Sequence, residues 1–211
     1  MIDANYRKFS TSLLPIFNGL TAYTAELQQA VVTVNQINLE TENELIALKV
    51  MTPFLQRMTN WYEKDYPEWV LKRGFNRYLR SGFRYILLHL DEIMEAYLSL
   101  DYHLRELSDL ALLQDIADQL IDVLENNSKM FSVIIAFFAA QPIDQSQEDF
   151  TSDVTDLYNI ARSVLPSNIE LLDLNPDYIH IASAMRDAVD IRQILLKILT
   201  ALPIDDLAVK E

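Results

Sequence analysis

The sequence contains no cysteine, and only three of its 211 residues are glycine. Without cysteine there are no disulfides, thiolate zinc sites, iron–sulfur clusters or cysteine nucleophiles. The shortage of glycine argues against β-sandwiches and barrels, whose tight turns need residues with positive φ. The phosphate-loop, dinucleotide-fold, nucleophile-elbow and zinc-protease motifs are also absent. We therefore expect a protein that is not an enzyme and that carries no cofactor.

The sequence also lacks an apolar run long enough to cross a membrane. The longest run, from Met130 to Ala140, is interrupted only by Ser132 and covers about half of a ~30 Å hydrocarbon core at roughly 1.5 Å per residue. The amino-terminal segment MIDANYRKFS has no basic stretch followed by an apolar one, as a secretory signal would. We expect a cytoplasmic protein with no integral span and at most peripheral contact with a membrane.

Apolar residues at alternating spacings of four and three form two long seams, which are typical of amphipathic helices. The first seam consists of Phe9, Leu13, Ile16, Leu20, Tyr23, Leu27, Ala30, Val34 and Ile37. The second consists of Leu79, Phe83, Ile86, Leu90, Ile93, Tyr97, Leu100, Leu104, Leu107 and Ala111. These seams predict an all-α fold, a compact or elongated bundle of five to six long, mainly antiparallel helices. We expect a single domain over residues 1–211, with sub-lobes 1–66 and 67–211 as the alternative.

Several short segments predict where the helices begin, break or end. Pro15 either starts the first helix or kinks it. Ser99 to Asp101 and Ser108-Asp109 are two candidate breaks in the helix of the second seam, because Ser and Asp compete for backbone hydrogen bonds. Asn126-Asn127-Ser128 is a weak point in the next helix. Asn175-Pro176-Asp177 predicts the start of the last one.

The net charge of −14 is unevenly distributed along the chain. Residues 1–85 contain ten basic and eight acidic side chains, whereas residues 86–211 contain seven basic and 23 acidic ones. An acidic chain repels phosphates, so nucleic acid is not an expected partner. The acidic half is either an ordinary solvated surface, a surface for a basic partner, or a mimic of nucleic acid.

Four arginines form the most distinctive basic feature. Arg73, Arg77, Arg80 and Arg84 are four, three and four residues apart, which places them in one stripe on a helix. The stripe either binds an anionic ligand, a lipid head group or an acidic partner, or pairs with the acidic half of the same chain.

An aromatic corner precedes the arginine stripe. Its members are Trp61, Tyr62, Tyr66 and Trp69. Tryptophan and tyrosine dominate the centres of protein interfaces, so this corner is a candidate anchor for a partner. The alternative is an aromatic cap on one end of the bundle.

Three pairs of histidine and carboxylate residues raise the question of a metal site. His89 and Glu92, His103 and Glu106, and Asp177 and His180 are each three residues apart. Di-iron bundles use Glu-x-x-His pairs, and no such pair occurs here. We therefore expect no metal, and a metal-dependent helical enzyme is the weakest alternative. The acid pair Asp187 and Asp190 lacks a supporting catalytic motif.

Two helical stretches, FRYILLHLDEIMEAYLSLDYHLREL and IHIASAMRDAVDIRQILLKIL, resemble the soluble helical region of aromatic acid exporters of the fusaric-acid-resistance type. That resemblance covers most of the chain and implies a helical domain attached to membrane spans, which this sequence lacks. From the residues themselves we expect a non-enzymatic adaptor, regulator or assembly factor. Its partner is either another protein or a second copy of the chain.

Overall fold

The structure is a computed structural model that describes residues 4–36, 84–143 and 175–202. This part of the chain forms five α-helices and no strand: α1 (Ala4–Gln36), α2 (Arg84–Arg105), α3 (Leu110–Asp115), α4 (Ala117–Ala139) and α5 (Asp177–Ala201). The all-α class and the antiparallel packing predicted from the seams are confirmed. The sequence also predicts a capping box from Thr41 to Glu44, a loop from Gln141 to Gln147 and a short helix from Ser146 to about Leu165. The capping box, the short helix and the part of the loop beyond Ile143 lie outside the described residues.

Two antiparallel helix pairs make up the described bundle, and one continuous apolar core joins them. In the first pair, Phe17 of α1 stacks on Phe138 near the end of α4, with ring centroids 5.7 Å apart. At the opposite end of that pair, Asn35 Nδ2 donates a hydrogen bond of 3.0 Å to Asp118 Oδ1. The second pair consists of α2 and α5.

Polar contacts link the two pairs within the core. Asn127 of α4 is fully buried, and its Nδ2 donates a hydrogen bond of 3.0 Å to the carbonyl oxygen of Ala188 on α5. The hydroxyl groups of Thr24 on α1 and Tyr97 on α2 also form a buried hydrogen bond. Because a buried polar group needs a hydrogen-bond partner, these bonds favour the observed alignment of the helices over alignments shifted along the helix axes.

The first helix shows how tertiary packing overrides a local signal. α1 begins at Ala4 and continues through Pro15 to Gln36, so of the two alternatives at Pro15 the helix start is excluded. The seam residues on both sides of the proline, Leu13 and Ile16, are buried. Their burial against α4 stabilises the helix despite the hydrogen bond that proline cannot donate.

The helix of the second seam ends at Arg105, and the described seam residues from Ile86 to Leu107 are buried. Of the two candidate breaks, Ser108-Asp109 separates α2 from α3, whereas Ser99 to Asp101 lies within α2. Asp109 caps α3 by accepting a hydrogen bond of 3.0 Å from the backbone N–H of Ala111. Ala111, the last residue of the predicted seam, is consequently exposed.

The last two described helices test the other boundary predictions. α4 runs unbroken through Asn126-Asn127-Ser128, so the predicted weak point is wrong. Asn127 faces the core there and is held by α5. The start predicted for α5 is confirmed, since the helix begins at Asp177 and the side chain of Asn175 accepts a hydrogen bond of 3.0 Å from its N–H.

Candidate functional site

Most of the sites predicted from the sequence fall outside the described residues. This applies to the aromatic corner of Trp61, Tyr62, Tyr66 and Trp69, and to Arg73, Arg77 and Arg80 of the arginine stripe. Arg84 is the first residue of α2, but its side chain is not described. Anion binding by the stripe and anchoring by the corner therefore stay predictions.

One of the histidine–carboxylate pairs forms as its spacing suggests, whereas His103 has a different partner. His89 Nδ1 lies 2.7 Å from Glu92 Oε2 on the same helix. His103, however, contacts His180 of α5, with 3.0 Å between the two Nδ1 atoms. Within residues 4–36, 84–143 and 175–202, no three histidine or carboxylate side chains come together as a metal would require.

Asp177 joins the first turn of α5 to the segment between α2 and α3. Its Oδ2 accepts hydrogen bonds from the backbone N–H groups of Ser108, at 2.9 Å, and Asp109, at 2.6 Å. The Ser108 hydroxyl donates a third bond of 2.8 Å to the same oxygen. Burial alone would raise the pKa of Asp177, but these hydrogen bonds and the charge of His180 hold that pKa below its usual value. This carboxylate therefore acts as a structural link.

A groove of about 490 Å³ runs between α2 and α5. We call it the acidic groove and define it by Glu92, Glu95 and Ser99 on α2 and by Asp187, Asp190 and Lys197 on α5. Ala96 and Ile194 add an apolar part to its lining. Four carboxylates thus face one ammonium group, and the volume falls within the roughly 300–1,000 Å³ of ordinary ligand pockets. The groove is suited to a ligand that carries positive charge and some aliphatic surface.

Asp187 is the most unusual member of the acidic groove. The residue is only 5% exposed. Its Oδ2 accepts no hydrogen bond from any part of the chain that the structure describes. Its Oδ1 lies 4.0 Å from Nη2 of the exposed Arg186. A buried carboxylate oxygen that accepts no hydrogen bond destabilises the folded state. A hydrogen-bond donor placed against Oδ2 would remove that cost.

Burial raises the pKa of Asp187 to about 6. The hydrogen bond from Ser99 and the charge of Arg186 oppose this rise, whereas the negative charge of Asp190 adds to it. A positive charge entering the groove would lower the pKa of Asp187 and stabilise its ionised form. The electrostatics of the groove therefore favour a cationic ligand.

The sequence carries a local signal for this site. Asp187 belongs to the buried stripe of α5, together with Ala184, Ala188 and Ile191, at the i, i+3, i+4 and i+7 positions. An acidic residue at such a position has to be paired, protonated or functional. Sequence spacing identifies Asp187 and Asp190 as an acid pair, but only the fold brings Glu92, Glu95 and Ser99 of α2 to the same groove.

Comparison with known proteins adds no further guidance. No family model matches the chain, and neither a curated protein nor a solved structure is significantly similar to it. The resemblance to aromatic acid exporters therefore gains no support. Among the described helices, none is both long enough and apolar enough to cross a membrane.

Proposed function

We propose that this protein is a non-enzymatic interaction protein that binds a positively charged segment of a partner protein in the acidic groove. The observation that supports the proposal is the buried Asp187 Oδ2, which lacks a donor and belongs to a groove lined by four carboxylates and one lysine. Structural ion-pair networks satisfy their buried acceptors, whereas this groove leaves one unsatisfied.

The charge distribution of the chain also supports a basic partner. All six residues that define the groove lie in the half of the chain that carries 23 acidic and seven basic side chains. A field of one sign increases the rate of encounter with an oppositely charged partner, and salt weakens it. Partner binding should therefore be strong at low ionic strength and weaker at physiological ionic strength.

The proposal can be tested by fluorescence anisotropy with the full chain and a labelled peptide in which lysine alternates with alanine. The double variant Glu95→Gln/Asp190→Asn should weaken peptide binding about fivefold to tenfold, because two carboxylates of the groove lose their charge. Circular dichroism should show that the variant remains folded.

The matched control is Asp115→Asn/Asp122→Asn. It removes the same amount of charge from exposed residues of α3 and α4, away from the groove. The control should bind the peptide as the wild type does. Equal losses in both double variants would mean that only net charge attracts the peptide, and the acidic groove would then not be the binding site.

A further inference from the structure

The face of α5 that lines the acidic groove changes charge along its length. Asp187, Asp190, Ile194 and Lys197 follow one another at spacings of three, four and three residues, which places them in one row along the helix. The row starts with two carboxylates, continues with the buried Ile194 and ends with an ammonium group. At roughly 1.5 Å per residue, Lys197 lies about 10 Å along the helix axis from Asp190. The groove therefore has an acidic end and a basic end.

The carboxylates that α2 contributes lie toward the acidic end. α2 and α5 are antiparallel, and the contact between His103 and His180 aligns them. Glu92 is eleven residues from His103, whereas Lys197 is seventeen residues from His180. Lys197 is consequently six residues, or about 9 Å, beyond Glu92 along the helix axes. The same comparison places Glu95 about 14 Å from Lys197.

Lys197 makes no ion pair within the part of the chain that the structure describes. The residues three and four positions away on α5 have no carboxylate to offer it: Gln193, Ile194, Thr200 and Ala201. Lys129 of α4 shows the contrast, because its Nζ lies 2.7 Å from Oε1 of Glu125, four residues earlier. The exposed ammonium group of Lys197 is therefore available to a carboxylate from outside the chain.

The surface between the two ends of the groove is apolar. Ile194 is buried and lies between Asp190 and Lys197 on α5, and Ala96 lines the same groove from α2. An aliphatic side chain placed there removes apolar surface from water, whereas a charged one would lose hydration without gaining a partner. A ligand that reaches both ends therefore fits best if its middle is aliphatic.

We propose that the acidic groove recognises a bipolar segment, with a basic side chain at the acidic end, an aliphatic one at Ile194 and an acidic one at Lys197. This inference rests on the proposed function and specifies the segment that the groove accepts. In an extended segment, at roughly 3.3 Å per residue, charges three or four residues apart span about 10–13 Å. A uniformly basic segment of that length would place a cation against Lys197, and like charges repel.

The test uses fluorescence anisotropy at low ionic strength with the full chain and two labelled peptides of identical composition. The spaced peptide is Lys-Ala-Lys-Ala-Lys-Leu-Ala-Glu, in which the nearest lysine and glutamate are three residues apart. The scrambled peptide is Ala-Lys-Lys-Glu-Lys-Ala-Leu-Ala, in which they are adjacent. Both are acetylated and amidated, so that terminal charges do not contribute. The spaced peptide should bind about threefold more tightly, as one exposed ion pair would produce.

Two variants locate this preference. Lys197→Gln removes the ammonium group and should bind the spaced and scrambled peptides about equally. Its affinity for the alternating lysine–alanine peptide should rise about twofold, because a repulsion is lost. Lys129→Gln, the matched control, changes the net charge equally at another exposed lysine and should keep the threefold preference. Circular dichroism should show that both variants remain folded, since both side chains are exposed.

The possible outcomes separate the two proposals. If neither these peptides nor the alternating lysine–alanine peptide binds the wild type, both the proposed function and the bipolar segment are wrong. If the alternating peptide binds in the groove but the spaced and scrambled peptides bind equally, the bipolar segment is wrong and the proposed function stands. If Lys197→Gln keeps the threefold preference, or Lys129→Gln loses it as well, Lys197 does not produce it and the inference is overturned.

Discussion

His103 and His180 join the end of α2 to the start of α5 through a contact of 3.0 Å between their Nδ1 atoms, although 77 residues separate them in the chain. Only one of the two Nδ1 atoms can carry the proton in such a contact, because two facing N–H groups repel each other. The exposed Tyr102 ring packs against both imidazoles in T-shaped arrangements. The pair therefore depends on at least one histidine staying neutral.

This dependence predicts how stability responds to acid. Burial, followed by the charges of His180 and Arg186, lowers the pKa of His103. A histidine whose pKa is lower in the folded state binds fewer protons there, so its contribution is complete above about pH 6.5 and is lost as the pH falls through the folded pKa. Urea unfolding of His103→Gln, His180→Gln and the double variant should give a coupling energy of about 1 kcal/mol at roughly pH 7.5. The coupling should weaken as the pH falls below the lowered pKa of His103, and a coupling that stays unchanged down to acid unfolding would contradict this account.

The fold stabilises the neutral form of His103 but the charged form of Asp177. Asp177→Ala removes the acceptor of three hydrogen bonds from Ser108 and Asp109. We expect a loss of about 2–3 kcal/mol in the free energy of unfolding near pH 7. Because the pKa of Asp177 is lowered on folding, this contribution is present above about pH 3.8 and is lost as the pH falls below it. Asp118→Ala, at an exposed residue, is the control and should cost about 1 kcal/mol or less.

The ionised Asp187 should make the folded protein less stable than a neutral asparagine at the same position would. A carboxyl whose pKa rises from 3.8 to about 6 on folding binds more protons in the folded state, so its charge destabilises the fold above about pH 6. Asp187→Asn should therefore raise the free energy of unfolding by about 1–2 kcal/mol near pH 7.5. The gain should shrink as the pH falls through 6 and be absent below about pH 3.8. A variant that is more stable and yet binds the lysine peptide less tightly would show that the charge is kept at a cost to stability, as is common at binding sites.

The sequence predicted the helices well and their mutual alignment poorly. The helical class and the start at Asn175-Pro176-Asp177 follow from local signals, since periodicity and capping act within a few residues. The contact of His103 with His180, and of Ser99 with Asp187, depends on how far α2 slides along α5. The sequence around these four residues does not specify how far one helix is shifted along the other. The continuous helix at Asn126-Asn127-Ser128 was mispredicted for the same reason, because the stabilising contact comes from Ala188 of another helix.

The hydrogen bond between Thr24 and Tyr97 should couple α1 to α2. The Thr24 hydroxyl donates a bond of 2.7 Å to the carbonyl oxygen of Leu20, so the hydroxyl of Tyr97 must donate to Thr24. Burial is the main cause that raises the pKa of Tyr97, which therefore stays neutral and able to donate. A double-mutant cycle of Tyr97→Phe and Thr24→Val should give a coupling energy of about 1 kcal/mol. Additive effects would mean that the hydroxyls contribute separately, through burial alone.

Asn127 and its neighbour Asn126 provide a matched pair for testing the junction of α4 with α5. Asn127→Asp replaces the N–H donor to the carbonyl oxygen of Ala188 with an oxygen and places a charge at a fully buried position. We expect a loss of about 3 kcal/mol or more near pH 7, measured by urea unfolding. Asn126→Asp makes the same chemical change at a half-buried position and should alter stability by about 0.5 kcal/mol.

The acid response of Asn127→Asp then separates lost packing from buried charge. A protonated aspartic acid has an O–H that can donate to Ala188, so the variant should recover most of its stability as the pH falls below the raised pKa of the new carboxyl. If the loss is the same at low and neutral pH, shape and not charge is responsible. The hydrogen bond to Ala188 would then contribute little to holding α4 against α5.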